Sequence, residues 1–506
     1  MPALAKSDRV AVIGAGIMGA GIAQVAAAAG HPTILYDTNR TALHRGIQSV
    51  REQLDKQVKR GKMTSDAVNQ LLANLRPADQ IGEVAGSHLI IEAIVEDLAT
   101  KQSLFTQLQR FCPPQTILAS NTSSLSITAI ASALVRPENL IGMHFFNPAQ
   151  VMQLVEVVSG INTSPAVAES ITATALNWGK RPVRARSTPG FIVNRVARAY
   201  YAEALRLLEE GVADVSTLDA VMRGGGFPMG PFELMDLIGH DINYAVTTSI
   251  HSAFYNDPRF LPSQRQKELV DGGLLGRKTG RGFYDYRDNA GRPQPVTAPP
   301  GAAPPAVEIV GDLGAAESLA EMLAESSIPV SRKPGTRGYI ALENGQIALS
   351  DGRTATRRSL DDGIPDTILF DLSVNYAKAR HIALAPGHNC SDRSLAQATG
   401  LFQKLGIQVA VVDDTPGLPV IRTLCMLVNE AAETLLHQVC DAVAIDTAME
   451  AGVNYPLGPL AWADRLSPAV VLEVLENLQR SYGFDRYRPS LLLRRKAETG
   501  GRFHDA

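Results

Sequence analysis

Two residues invite a chemical reading before any fold is assigned. His144 opens the run HFFNPAQVMQLVEVV beside two phenylalanines and an Asn-Pro, and Glu156 interrupts the apolar stretch twelve positions on. A carboxylate inside a hydrophobic strand is costly unless something pairs with it. An imidazole titrates near neutral pH, so it suits accepting a hydroxyl proton while a hydride leaves the same carbon. Such a base works best when a second group fixes its tautomer and stabilises the imidazolium. Glu156 meets that need if the loop between the two strands reverses the chain. Plainer readings stand beside this one. The histidine could be a satisfied core residue, and the glutamate an exposed position on an edge strand. Ser123 in SNTSS could be a helix cap, and Asn194 in TPGFIVNR a helix-start residue.

The elements that would position these groups begin with RVAVIGAGIMGAGIAQVAAAAGHPTILYD, a strand, a glycine-rich turn, an alanine-rich helix and a second strand. Gly14, Gly16 and Gly19 fit G-x-G-x-x-G, and Asp37 ends the second strand 18 positions after Gly19. In that setting the glycines allow a tight turn, close approach of a pyrophosphate, and close helix–strand packing. An acid at Asp37 favours a ribose 2′-hydroxyl over a 2′-phosphate, hence NAD over NADP, with Arg40 weakening the preference slightly. Glu96, Ser123 and His144 each follow an apolar strand, where open α/β sheets bind ligands. Residues 40–75 read as a polar helical arm carrying Arg51, Lys56, Lys59, Arg60 and Lys62, by default a solvated face. VMQLVEVV reads as an edge-like strand. Strands and helices alternate to about residue 185, which predicts a mostly parallel sheet covered on both faces.

The pattern then becomes helical. The expected segments are a Rossmann-type doubly wound domain at 1–187, a helical domain at 188–288 and a Pro/Ala-rich linker at 289–307. A small α/β domain at 308–412 and a second helical segment at 413–506 follow. The last segment repeats the second in order: Thr-Pro-Gly, Arg195 and Arg422, Glu203 and Glu430, Gly-Pro, Asp236 and Asp464. Ile421 stands in the second copy where the first has Asn194, so the second copy reads as structural. The small α/β domain has no glycine fingerprint, and no cofactor is expected there.

Net charge is −3 over 506 residues, which argues against a nucleic-acid partner. Cys112, Cys390, Cys425 and Cys440 form no CxxC or even ladder; they read as reduced thiols of a cytoplasmic protein, neither disulfides nor a metal site. No apolar run has membrane-helix length, and the opening residues read as leaving no room for a signal peptide.

Taken together, AVIGAGIMGAGIAQ, IEAIVEDLATK, SNTSSLSI, HFFNPAQVMQLVEVV, STPGFIVNR and GFPMGPFELMDLIG resemble, in order, the motifs of the 3-hydroxyacyl-CoA dehydrogenases. The resemblance implies NAD-dependent oxidation of a (S)-3-hydroxyacyl-CoA thioester to the 3-oxoacyl-CoA. It implies His144 as general base and Glu156 as its orienting carboxylate. Ser123 would bond the substrate oxygen, and Asn194 the substrate carbonyl. It implies a cofactor set of Gly14, Gly16, Ile17, Met18, Gly19, Asp37, Glu96, Lys101 and Asn121, with Glu96 and Lys101 near the nicotinamide. Lys56, Lys59 and Lys62 of the basic arm are then candidates for coenzyme A phosphates. The whole layout resembles long bacterial members acting on 3-hydroxyadipyl-CoA, in aerobic phenylacetate breakdown, or on 3-hydroxybutyryl-CoA. In shorter members two subunits pair through helical domains, so the second copy is expected to pack on the first as an internal stand-in; a homo-oligomer is also possible. Two rival readings are a non-catalytic NAD-binding structural protein and a β-hydroxy-acid dehydrogenase acting without coenzyme A. The latter typically uses a lysine where this chain has the His/Glu pair.

Overall fold

The computed structural model describes residues 2–288 and 290–505; Met1, Asn289 and Ala506, at the ends of three expected segments, lie outside them. The chain forms two compact units. One runs to Arg195 and takes in His437–Asn454; the other holds Val196–Leu436 and the chain from Tyr455 on.

The first unit is built on eight strands: β1 Val10–Ile13, β2 Thr33–Tyr36, β3 Leu75–Ala78, β4 Leu89–Glu92, β5 Ile117–Ser120, β6 Leu140–Phe145, β7 Leu154–Ser159 and β8 Arg181–Arg186. Their order is β3-β2-β1-β4-β5-β6-β7-β8. Every neighbouring pair is parallel except β6 and β7, which run antiparallel with His144 opposite Glu156. β1, β4 and β5 are wholly buried, as strands covered on both faces should be, with Glu92 and Ser120 the polar ends of β4 and β5. Each fully buried Val or Ile contributes roughly 1.5–3 kcal/mol against exposure.

Two strands were not legible in the sequence. β3 contains a proline, and β8 alternates arginines with small or apolar residues. β8 pairs with β7, so VMQLVEVV lies inside the sheet and the arginine-bearing strand is the edge; the edge-like reading of VMQLVEVV is corrected accordingly.

The arm consists of the helices Arg40–Lys59 and Ser65–Asn74. Asn39 and Thr64 cap them by accepting amides three residues on. Leu43, Gly46, Val50 and Leu54 form the buried stripe of the longer helix. Gly46 is small by necessity, because a Cβ there would sit 2.7 Å from the Ala15 carbonyl oxygen. The helix Ala442–Val453 also belongs to this unit, packing on β7 and β8. Gly452 lets it approach, since a Cβ there would lie 2.6 Å from Leu154 Cδ2. The Arg186 amide donates to Val439 O at 2.8 Å.

In the second unit the helices Arg198–Glu209 and Pro419–Leu436, one from each repeat, pack together. Glu203 is wholly buried there and meets Arg422 and Arg486 at 2.8 and 2.7 Å. The repeat has a matching end. Asp236 accepts the amides of Phe283 and Tyr284, and Asp464 those of Phe503 and His504.

A second sheet of seven strands completes this unit: β9 Val307–Val310, β10 Val330–Lys333, β11 Tyr339–Ala341, β12 Gly345–Leu349, β13 Asp366–Phe370, β14 His381–Pro386 and β15 Gln408–Val411. Their order is β10-β9-β11-β12-β13-β14-β15. The proline-rich stretch before β9 has no regular structure but is held down: Val296 N donates to Thr217 Oγ1 at 2.8 Å, and Gly301 N to Gln403 Oε1 at 2.8 Å. These backbone amides, lying between prolines that have none to donate, find side-chain acceptors.

Candidate active site

The turn after β1 has the shape its glycines require. Gly14 has φ 102°, and a Cβ there would sit 2.4 Å from Ala93 O. A Cβ at Gly19 would meet Gly14 O at 1.7 Å, so the third glycine lets the helix close on the turn. A Cβ at Gly16 would meet nothing within 4 Å, and this glycine faces the open space of a cavity. Gly14, Gly16, Asp37 and Thr38 line a cavity of about 870 Å³ together with Ala93, Ile94 and Val95. The Asp37 carboxylate is set in place by the amides of Ala15 at 2.7 Å and Asn39 at 2.8 Å. A cradle of free backbone beside a helix N-terminus, with a fixed acid at the second strand, fits a dinucleotide whose ribose keeps its 2′-hydroxyl. Ile17 is 78% exposed beside this turn. Met18 packs into the core and Gly19 against Gly14, so neither lines the cavity.

The antiparallel step between β6 and β7 brings the opening pair together. His144 Nδ1 lies 2.7 Å from Glu156 Oε2, with both side chains buried. The carboxylate accepts the Nδ1 proton, which leaves Nε2 as the lone-pair nitrogen. The other oxygen, Oε1, accepts the amides of Ile192 and Val193 at 3.0 Å each, at the start of the short helix carrying Asn194. One buried carboxylate therefore orients the imidazole and anchors the Asn194 segment. Asn194 Nδ2 reaches Ser123 O at 3.5 Å. Ser123, His144, Glu156 and Asn194 are thus gathered at one end of the sheet.

Behind Ser123 stands a network that the sequence reading covered only in part. Glu96 Oε1 accepts the Thr122 hydroxyl at 2.6 Å and the amides of Ser123 and Ser124 at 2.9 and 3.1 Å. Burial would raise this carboxyl, but the Thr122 hydroxyl, the Lys101 charge and the neighbouring donors outweigh it and hold it below its ordinary range. Lys101 lies 3.3 Å from Glu96 and 2.5 Å from Glu92. Glu92 was missed; the signal was a carboxylate ending the all-buried strand LIIE. Asn121 Oδ1 accepts the Phe145 amide at 2.8 Å, locking β6 beside β5. Lys180, also missed, donates to the carbonyls of Ala149 and Met152 at 2.6 and 2.8 Å, pinning the turn that follows His144. Burial lowers its pKa.

A second cavity, of about 580 Å³, lies between the first helix and the arm, lined by Gly16, Ile17, Arg45, Ser49 and Gln53 together with Asn147 and Pro148. Lys56, Lys59 and Lys62 are exposed and do not line it. The arm turns its i, i+4 row of Arg45, Ser49 and Gln53 toward this space, and the lysines fall beyond it.

Comparison with known proteins agrees with this geometry. The family model for the 3-hydroxyacyl-CoA dehydrogenase NAD-binding domain matches residues 9–188, and that for the family's C-terminal domain matches 190–286 and again 417–503. The chain belongs to the 3-hydroxyacyl-CoA dehydrogenase family. The family model for the 3-hydroxybutyryl-CoA dehydrogenase reduced Rossmann-fold domain matches 347–416. A 3-hydroxyadipyl-CoA dehydrogenase of Escherichia coli K12 is 45% identical over 96% of this chain and 97% of its own length. A crystal structure of a 3-hydroxybutyryl-CoA dehydrogenase from E. coli K12 covers 97% of this chain and 98% of its own, at TM-score 0.89 and 43% identity. A shorter relative, a probable 3-hydroxybutyryl-CoA dehydrogenase of Bacillus subtilis, is 42% identical over 55% of this chain and 98% of its own length. As a 3-hydroxyacyl-CoA dehydrogenase, this chain is an NAD-dependent oxidoreductase. No helix among its described residues is long and apolar enough to cross a membrane.

The reduced domain of this dehydrogenase keeps the frame of the site without its chemistry. β12–β13, β13–β14 and β14–β15 repeat the parallel, antiparallel, parallel order of β5 to β8. Asp371 follows β13 directly and donates its amide to Ala383 O across from β14, as His144 stands opposite Glu156 between β6 and β7. Its carboxylate accepts the amides of Val420 and Ile421, at the start of the second copy's helix. A carboxylate in the histidine's place does the tethering that Glu156 does in the first half.

Proposed function

We propose that this chain oxidises (S)-3-hydroxyadipyl-CoA to the 3-oxo thioester. His144 Nε2 takes the proton of the C3 hydroxyl, and Glu156 stabilises the imidazolium that forms. Bound at the glycine turn, NAD supplies the acceptor for the hydride. Ser123 donates to the substrate oxygen as it becomes a carbonyl, and Asn194 holds the thioester carbonyl. The cavity beside Arg45 and Ser49 is the proposed seat of the pantetheine arm, with Lys56, Lys59 and Lys62 acting on phosphates at its outer end through long-range attraction. The observation that carries the reading is the 2.7 Å contact between His144 and Glu156 at the sheet end that also bears the dinucleotide turn. The adipyl assignment is supported by near full-length similarity to the E. coli 3-hydroxyadipyl-CoA dehydrogenase.

A second reading, a 3-hydroxybutyryl-CoA dehydrogenase, is favoured by the E. coli K12 crystal structure of an enzyme so named, which superposes over nearly the whole chain. NADH formation with 3-hydroxyadipyl-CoA against straight-chain 3-hydroxyacyl-CoAs separates the two. A higher kcat/KM for the four-carbon substrate would reject the adipyl assignment. We also infer a cytoplasmic enzyme whose second helical copy replaces a subunit contact. The packing of the two repeats around Glu203 supports this replacement, as does the B. subtilis relative, whose match over 281 residues spans 98% of its own length but 55% of this chain.

A further inference from the structure

We propose that Glu92 is a positioning residue for this dehydrogenase. It fixes Lys101, and through Lys101 it sets the Glu96 carboxylate that shapes the Ser123 loop. The proposal rests on the reading of Ser123 as a substrate contact.

Glu92 closes β4 with no exposed surface, and Lys101 is 1% exposed. Two buried charges of this kind are retained only when their hydrogen-bonding capacity is filled. Here it is filled from fixed directions. Glu92 Oε1 accepts Lys101 Nζ at 2.5 Å and the Ile94 amide at 2.7 Å, while Oε2 accepts the Ser120 hydroxyl at 2.6 Å. Ser120 stands opposite Glu92 in the β4–β5 register, so the sheet itself sets the carboxylate. Lys101 is thereby held deep, nearer to Glu92 than to Glu96, which it meets at 3.3 Å through Oε2. That division leaves Glu96 Oε1 free to gather the Thr122 hydroxyl and the Ser123 and Ser124 amides. Without the Glu92 charge, the ammonium has one carboxylate left and closes on Glu96. It then competes for the oxygen that holds the Ser123 loop, and Ser123 O is also the partner of Asn194. Misplacement of such groups by about 1 Å can cost a hundredfold in rate.

The test is Glu92→Gln in the full chain, with kcat and KM for a 3-hydroxyacyl-CoA and Kd for ADP-ribose. ADP-ribose reports on the cavity at the glycine turn and Asp37, which Glu92 does not line. The expected result is kcat lowered about tenfold or more, KM changed less than about threefold, and ADP-ribose affinity within about twofold of wild type. Unchanged kcat overturns the proposal. So does a parallel loss of kcat and ADP-ribose affinity, which marks a merely structural residue. If Glu92→Gln does not fold, Ser120→Ala removes a single bond to the same carboxylate. It should lower kcat about two- to fivefold in the same pattern, and an unchanged kcat there rejects the proposal. A wild-type chain that binds ADP-ribose yet turns over no 3-hydroxyacyl-CoA sinks the functional reading itself, and this inference with it.

Discussion

Glu203 and Arg422 lie on helices from different copies of the repeat and meet at 2.8 Å with both side chains wholly buried. Burial alone would raise the Glu203 carboxyl, but the Arg486 and Arg422 charges outweigh it and hold it down to about 2, against an ordinary 4.5. A depressed carboxyl stabilises the fold fully above its unfolded pKa and loses that contribution as pH falls toward the folded value. Wild-type stability should therefore fall between about pH 4.5 and pH 2, a slope that Glu203→Gln should reduce. At neutral pH the same variant leaves two arginines facing a neutral amide and should lose about 3–5 kcal/mol, read by urea denaturation.

His144→Ala should lower kcat by about a hundredfold or more with the fold intact, measured by NADH absorbance. Glu156→Gln should do more than remove a charge. Its amide nitrogen cannot accept, so either the His144 proton or the Ile192 and Val193 amides lose a partner. Activity and thermal stability should fall together in that variant; His144→Ala also leaves the buried carboxylate short of a partner but keeps the Ile192 and Val193 amides satisfied, so amide exchange at those two positions should quicken only in Glu156→Gln. Equal exchange rates at Ile192 and Val193 in the two variants would contradict the double duty of Glu156.

Asp37→Ser should shift cofactor choice. With the carboxylate gone, a 2′-phosphate is no longer repelled and the 2′-hydroxyl loses its acceptor, so the NAD-to-NADP ratio of kcat/KM should drop about tenfold or more. An unchanged ratio would place cofactor discrimination elsewhere.

Arg45→Ala should raise KM for the coenzyme A thioester by about fivefold, as expected for one solvated charge contact, and less in high salt. Lys59→Ala, on the same arm but outside the cavity, should change KM less. The reverse order would show that the arm binds coenzyme A by its lysine face.

Much of the site was legible because its signals are local. The glycine turn with Asp37 is a strand–turn–helix pattern, and His144 and Glu156 are polar residues standing out in apolar strands. Whether the two meet depended on a single reversal of chain direction between β6 and β7, which spacing allows but does not dictate. β8 escaped because its arginines hide the alternation of an edge strand, a common defence against unwanted pairing. Glu92 and Lys180 escaped because their partners lie on other elements, and Lys180 bonds only to backbone carbonyls, which carry no side-chain signature.

The helix Ala442–Val453 carries a consequence for how this protein comes into being. β7 and β8 leave the ribosome long before the helix that covers them, so the half of the molecule that holds the nucleotide must wait, partly bare, for nearly the last part of the chain to be made. Contacts between such distant stretches slow folding and lengthen the time in which apolar surface is open to wrong partners. A nascent chain stalled before this helix should bind chaperones more readily than the finished one, and the arginines along β8 would then serve as its interim guard.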